Sequence, residues 1–227
     1  MVINCKLKPR TNIAAAKARN GLDVLLYQHD DAFGISIGGK ELMHSKVSAS
    51  ESYIGKVGVK DIAADIPARI LIGGLGLGFT LRSVLNHTSS AVRIDVVEII
   101  PEIIDWNKKF LYDLNGALLD NPRVNVVNAD VSDVIFNTKP SHYDVVILDL
   151  DNGPVAMVDE NNAELYNYSG IKRINKTLKK NGRSLIWSAG PDLNFENMLK
   201  ENSVKYSAHK PKVYKGAKRA RHLIYIM

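Results

Sequence analysis

The stretch Ile70–Arg82, Ile-Leu-Ile-Gly-Gly-Leu-Gly-Leu-Gly-Phe-Thr-Leu-Arg, constrains the fold more than any other part of the chain. Its three leading apolar residues predict a buried parallel strand. Gly74, Gly76 and Gly78 follow at every second position, and from Phe79 to Leu85 the apolar pattern turns helical. A strand that runs through such a turn into a helix brings bare backbone and the positive end of the helix towards a ligand. Glycine suits that turn because it accepts positive φ and puts no side chain between backbone and ligand. The same glycines also serve a tight turn at which nothing binds, so the residues downstream have to decide.

They continue as alternating strands and helices. Strands are predicted at Arg69–Ile72, Ala91–Glu98, Arg123–Asn128, Tyr143–Asp149 and Arg183–Trp187. Between them lie the helix after the glycines, one opened by Pro101 and running to about Phe110, a short one from Ser132, and one at Ser169–Lys180 stopped by Asn181-Gly182. A helix near Asn194–Glu201 precedes two closing strands, Val204–Tyr214 and His222–Ile226. This order predicts a mostly parallel, seven-stranded sheet with helices on both faces. Tyr143–Asp149 is nearly continuous in apolar residues, as a strand buried on both faces should be. Ahead of it, Leu22–Gln28, Phe33–Ile37 and Lys40–Met43 alternate like a small antiparallel unit, with Gly38-Gly39 as a hairpin signal. Ser48-Ala-Ser-Glu51 reads as a capping box that opens a linking helix to about Val57. The expected division is therefore a β-element with its linking helix over 1–60 and a ligand-binding α/β domain over 61–227.

Composition narrows the chemistry. Cys5 is the only cysteine among 227 residues, which excludes an internal disulfide and a cysteine-cluster metal site, and the six histidines are scattered. No stretch approaches the roughly 20 apolar residues that a membrane span needs. Met1–Arg10 carries Lys6, Lys8 and Arg10 with no apolar segment behind them, which argues against a secretory signal. A cytoplasmic, metal-free protein with no membrane partner is the expectation. The net charge of +6 is concentrated after Glu201, where Lys205, Lys210, Lys212, Lys215, Lys218, Arg219 and Arg221 meet no acid. Nucleic-acid contact by the loop 215–221 is a lesser reading of that tail than a solvated hairpin tip. Conversely, Asp144, Asp149, Asp151, Asp159, Glu160 and Glu164 lie in a stretch with no Lys or Arg, suited to a cationic substrate such as a polyamine.

In a sheet of this kind ligands sit beyond the carboxyl ends of the strands. Glu98 ends the second strand, about 20 residues past the glycine turn, where an acid accepts hydrogen bonds from ribose hydroxyls. Asp130 follows the third strand, where it either receives an adenine amino group or caps the next helix. Asp149 ends the fourth strand and faces the space beyond the glycines. Gly74, Gly76, Gly78, Glu98, Asp130 and Asp149 are thus the predicted binding residues, with Asp149 and Asp151 the candidate catalytic carboxylates.

These runs resemble spermidine synthases. Gly74-Leu-Gly-Leu-Gly-Phe-Thr-Leu-Arg82 is similar to that family's Gly-Gly-Gly-Asp-Gly-Gly-Thr-Leu-Arg, and Val97-Glu-Ile-Ile-Pro-Glu-Ile-Ile104 to its Val-Glu-Ile-Asp-x-x-Val-Ile. Asn128-Ala-Asp130 and Tyr143-Asp-Val-Val-Ile-Leu-Asp149 match its next two motifs. The resemblance implies a Rossmann-like fold of the class I S-adenosylmethionine methyltransferase type, preceded by a small N-terminal β-element. It also implies S-adenosylmethionine or its decarboxylated form as the group donor, a small-molecule acceptor and a homodimer. The departures are local. Where the family's catalytic loop reads Asp-Ser-Ser-Asp or Asp-Ser-Thr-Asp, this chain has Asp149-Leu-Asp151-Asn152, so the amine-deprotonating base of the family falls on a neutral amide. Leu77 stands in place of an Asp that helps to hold the donor's amine, and Glu51-Ser-Tyr53 lies near the family's Tyr-His-Glu without a clean match. Methyl transfer to an unidentified acceptor is therefore the leading expectation. Aminopropyl transfer to putrescine, with Asp149 or Asp151 as base, is the alternative, and a non-catalytic nucleoside- or polyamine-binding module is a third reading.

Overall fold

The computed structural model describes residues 10–150, 163–211 and 222–227. The chain divides into two units, Met1–Val47 and Ser48–Met227. In the first, β1 (Thr11–Lys17), β2 (Asp23–His29), β3 (Ala32–Ile37) and β4 (Lys40–His44) form an antiparallel meander in chain order. Gly38 and Gly39 take φ of 54° and 79°, the left-handed pair that a two-residue hairpin turn requires. Asp30-Asp31 does the same between β2 and β3 at 47° and 61°, a conformation that Asp tolerates better than most residues.

The larger unit starts with α1 (Ala49–Gly58) and then alternates. In order come β5 (Arg69–Gly73), α2 (Phe79–Asn86), β6 (Arg93–Glu98), α3 (Pro101–Lys109) and α4 (Tyr112–Asn115). They are followed by β7 (Val124–Asn128), α5 (Val131–Asn137), β8 (Tyr143–Leu148), α6 (Ala163–Tyr166) and α7 (Tyr168–Thr177). The chain closes with β9 (Leu178–Ser188), α8 (Leu193–Glu201), β10 (Ser207–His209) and β11 (Leu223–Ile226). The seven-stranded sheet runs β10-β11-β9-β8-β5-β6-β7. Strands β5 to β9 are parallel to one another, and β11 is antiparallel to both β9 and β10. After β7 the chain crosses back over β5 to place β8, so the order reverses between β5 and β8. That reversal is where open α/β sheets hold ligands. Ile70, Leu71, Ile72, Ile94, Val96, Val146 and Ile147 are fully buried, as strands covered on both faces should be.

Several local expectations are corrected. Helix α1 groups with the larger unit and not with the β-element, because it lies directly on α2: a Cβ on Gly55 would stand 2.6 Å from Ser83 Cβ and 2.8 Å from the Thr80 carbonyl oxygen. The capping box does not form, since the Ser48 side chain makes no cap bond and Glu51 instead accepts from Ser50 Oγ at 2.5 Å. Helix α7 stops at Thr177, three residues before Lys180, with the Thr177 hydroxyl turned back onto the Ile174 carbonyl. The chain enters β9 at once, and Asn181 at φ 68° lies in the stretch where the β8–β9 register shifts. Strand β10 covers only three of the residues predicted for it.

Candidate active site

All three glycines of the turn have positive φ: 90° at Gly74, 49° at Gly76 and 82° at Gly78. Gly78 is the N-cap of α2. At two of the three the protein itself occupies the space that a side chain would need. A Cβ on Gly74 would lie 2.3 Å from the Asp149 carbonyl oxygen, and one on Gly78 about 3 Å from Asn115 Nδ2 and Asn107 Oδ1. These asparagines hold the turn from behind. Asn107 Nδ2 donates to the Gly76 carbonyl at 2.8 Å, and Asn115 Nδ2 donates to that of Leu77. The Leu77 side chain is fully buried, so the position that the resemblance assigns to an amine-binding acid is apolar core here.

Glu98 is 6% exposed, and both its oxygens engage main chain: Oε2 accepts from Leu75 N and Oε1 from Ile100 N, each at 3.0 Å. The carboxylate thus ties the glycine turn to the start of α3. Burial pushes its pKa up, and the surrounding amides of Ile100, Leu75, Gly76 and Ile99 pull it back down by stabilising the charged form. Asp130 is buried and caps α5, its Oδ1 accepting from Ser132 N at 2.9 Å and Ser132 Oγ at 2.7 Å. The capping role that its sequence position allowed is therefore realised, whatever else it binds.

Asp149 leaves β8 next to the turn. Its amide donates to the Gly73 carbonyl at 2.9 Å, and its Oδ2 accepts from Thr80 Oγ1 at 2.5 Å. Thr80 Oγ1 is also 3.3 Å from the main-chain oxygen of Glu51. One hydroxyl on α2 therefore links the acid after β8 to the start of α1. Nothing local marks Glu51 as a site residue, because an acid in a first helical turn has an ordinary use there. Only the packing of α1 on α2 brings it close. Burial raises the pKa of Glu51, with the Ser50 hydroxyl opposing the shift. Ser50 Oγ is in turn 2.9 Å from His222 Nδ1, and the His222 ring lies against Trp187 with centroids 4.8 Å apart and the planes tilted by 56°. Trp187 is half-buried at the end of β9, whereas Trp106 lies in the core. Asp151, Asn152 and the basic loop 215–221 lie outside the described residues.

The reversed strand order, the glycine turn into α2 and the acids closing β6 and β8 define a Rossmann-like α/β domain of the class I methyltransferase type. Residues 48–214 match the Spermine/spermidine synthase domain, and the chain belongs to that family. It is 37% identical over 113 residues to a polyamine aminopropyltransferase of Sulfurisphaera tokodaii, covering 48% of this chain and 36% of that protein. It is also 37% identical over 97 residues to polyamine aminopropyltransferase 2 of Pseudomonas aeruginosa, covering 41% of this chain and 27% of the relative. These matches span well under two thirds of the curated relatives. The crystal structure of spermidine synthase from Thermotoga maritima superposes with a TM-score of 0.72 at 17% identity, over 95% of this chain and 72% of that one. A spermidine synthase in complex with the transition-state analogue AdoDATO gives 0.70, also at 17% identity, over 95% of this chain and 71% of that one. The relatives correct the leading functional expectation: they carry the names of aminopropyltransferases, which favours the alternative over methyl transfer. Among the described residues no helix is long and apolar enough to cross a membrane.

Proposed function

We propose that this chain transfers an aminopropyl group from decarboxylated S-adenosylmethionine to a primary amine of the polyamine class. One observation carries the proposal beyond family membership. The ends of β5, β6 and β8 and the start of α1 present Glu98, Asp149 and Glu51, and no Lys or Arg occurs in 48–53, 73–80, 98–100 or 149–150. S-adenosylmethionine bears a carboxylate that such an acidic rim disfavours. The decarboxylated donor bears only a sulfonium and an ammonium, and the acceptor is a cation as well.

The reaction asks for positioning and one proton acceptor. The acceptor amine attacks the methylene carbon bonded to sulfur. The carbon–sulfur pair goes to sulfur, and methylthioadenosine leaves as a neutral thioether. On this reading Glu98 holds the ribose and Asp130 the adenine of the donor, and Asp149, which accepts from Thr80, holds its ammonium. An amine that arrives protonated must first lose a proton, and methyl transfer was favoured because Asn152 cannot take it. A second carboxyl group at Glu51 weakens that reason.

Calorimetry with S-adenosylmethionine, its decarboxylated form and methylthioadenosine, on wild type and Glu98→Ala, tests the reading. Preference for the decarboxylated donor, weakened at least tenfold in Glu98→Ala, is the expected result. Preference for the carboxylated donor would return the chain to methyl transfer. Binding of none would remove the donor site altogether.

A further inference from the structure

Four residues from three distant parts of the chain meet beside the reacting end of the site: Ser50 and Glu51 on α1, Thr80 on α2 and His222 just before β11. We propose that Glu51 is the base that takes the proton from the acceptor amine, and that Ser50 and His222 form a relay that returns this proton to solvent. This role rests on the aminopropyl-transfer reading above.

Among the described acids at these strand and helix ends, accessibility singles out Glu51. Glu98, Asp130 and Asp149 are each 6–8% exposed and engaged by the protein, whereas Glu51 is partly open. Its main-chain oxygen and the Asp149 carboxylate share the Thr80 hydroxyl, so an acceptor aligned with a donor amine held at Asp149 lies within reach of α1. A base has to meet its substrate, and of these carboxyl groups Glu51 is the most open to an incoming acceptor.

The heavy-atom chain from Glu51 Oε2 through Ser50 Oγ to His222 Nδ1 has links of 2.5 and 2.9 Å, both within hydrogen-bonding range. A hydroxyl suits the middle position because it donates and accepts at once. The balance is as follows. The acceptor ammonium gives one proton to the ionised Glu51 and becomes a neutral amine. Its lone pair forms the new carbon–nitrogen bond while the carbon–sulfur pair leaves with sulfur. Protonated Glu51 then donates to Ser50 Oγ as the Ser50 hydroxyl proton passes to Nδ1 of the neutral His222 ring, which sheds a proton from Nε2 to water. Trp187 packs against that ring. The neighbouring titratable groups are Asp149 reached through Thr80, and His209, whose Nδ1 is 2.8 Å from the hydroxyl of Tyr53, two residues further along α1 than Glu51.

The test measures single-turnover transfer from decarboxylated S-adenosylmethionine to putrescine between pH 6 and 10, on the full chain. It compares wild type, Glu51→Gln, Glu51→Asp and Ser50→Ala, with methylthioadenosine affinity as a check on the fold. Wild type should level off above one acid-side ionisation. Glu51→Gln should lose about 10²- to 10⁴-fold at pH 7, with methylthioadenosine affinity unchanged. Its remaining rate should rise tenfold per pH unit, because only amine already deprotonated in solution can react. Glu51→Asp should keep the wild-type shape at a lower plateau. Ser50→Ala removes a donor that stabilises the ionised carboxylate, so the acid limb should move to higher pH. A loss in Glu51→Gln by the same factor at every pH, unrelieved in Glu51→Asp, would make the residue structural and overturn the proposal. So would a Glu51→Gln rate equal to wild type, loss of methylthioadenosine binding by that variant, or an unmoved limb in Ser50→Ala. Wild type that fails to transfer at all would overturn the functional reading itself, whereas transfer with a normal Glu51→Gln would sink only the relay.

Discussion

Replacing Gly74 by alanine tests whether the turn is dictated by the protein's own packing. At φ 90° any L side chain is strained, by about 1–2 kcal/mol. The new Cβ would also stand 2.3 Å from the Asp149 carbonyl oxygen, where ordinary contact starts near 3.4 Å, so backbone must move by about 1 Å. That oxygen belongs to the strand end that β5 pairs with β8, and overpacking of this kind costs about 1–3 kcal/mol. Together the two effects predict a loss of about 2–5 kcal/mol. For a unit of this size that is a fall in Tm of about 5–15 °C. Gly78→Ala is the comparison. Its φ of 82° imposes similar strain, but its nearest neighbours at 3.0–3.1 Å are side-chain atoms that need to give only a few tenths of an ångström. Both tryptophans lie in the larger unit, so urea melts followed by tryptophan fluorescence report on that unit alone. Gly74→Ala should be the less stable variant by about 1–3 kcal/mol, and it should lose methylthioadenosine binding because the Asp149 amide is displaced from the Gly73 carbonyl. Equal stability of the two variants, or a Gly74→Ala midpoint within 2 °C of wild type (about the resolution of the effect), would refute the argument.

Glu98 supplies a pH test. A buried acid with a raised pKa holds its proton more tightly when folded, so its contribution to stability is full below its ordinary value of 4.5 and is lost as pH rises through the folded value. Urea melts should therefore show the stability of wild type falling relative to Glu98→Gln as the pH rises above 4.5, and a difference that stays flat would contradict the burial effect. Arg123 donates to the carbonyls of Thr88 and Ser89 at 2.8 Å and of Leu85 at 3.0 Å, closing the end of α2. Arg123→Ala should cost about 2–3 kcal/mol, and Arg123→Lys should recover less than half, since an ammonium cannot reach three carbonyls in a fork. Thermal melts of the two variants check both statements.

What the sequence disclosed follows from where the information sits. The glycine turn, the strand ends and the order of elements are local: apolar runs, Gly and Pro mark them within a few residues. Strand β1 escaped because Thr-Asn-Ile-Ala-Ala-Ala-Lys carries little β-branched or aromatic signal and owes its state to pairing with β2. The end of α7 was misplaced because Asn181-Gly182 is equally good punctuation for a helix stop and for the irregular stretch that it forms in β9. Asp130 was legible as a choice between two roles, and the structure shows the cap directly. The contact between Ser50 and His222 spans 172 positions, and no pattern in the chain announces it. Glu51 was hidden for a related reason, since its neighbours in space come from α2 and from the segment before β11.

Gly55 has no functional group, yet it governs how the acids of the site are held together. With no Cβ to separate them, α1 and α2 sit backbone against side chain at a spacing that every other amino acid would widen. The two helices consequently form a single mechanical part whose one end gathers Ser50 and Glu51 from α1 and the glycine turn and Thr80 from α2. A ligand that nudges the turn also shifts Glu51. A methyl group at this crossing would therefore move the glycine turn and the start of α1 together.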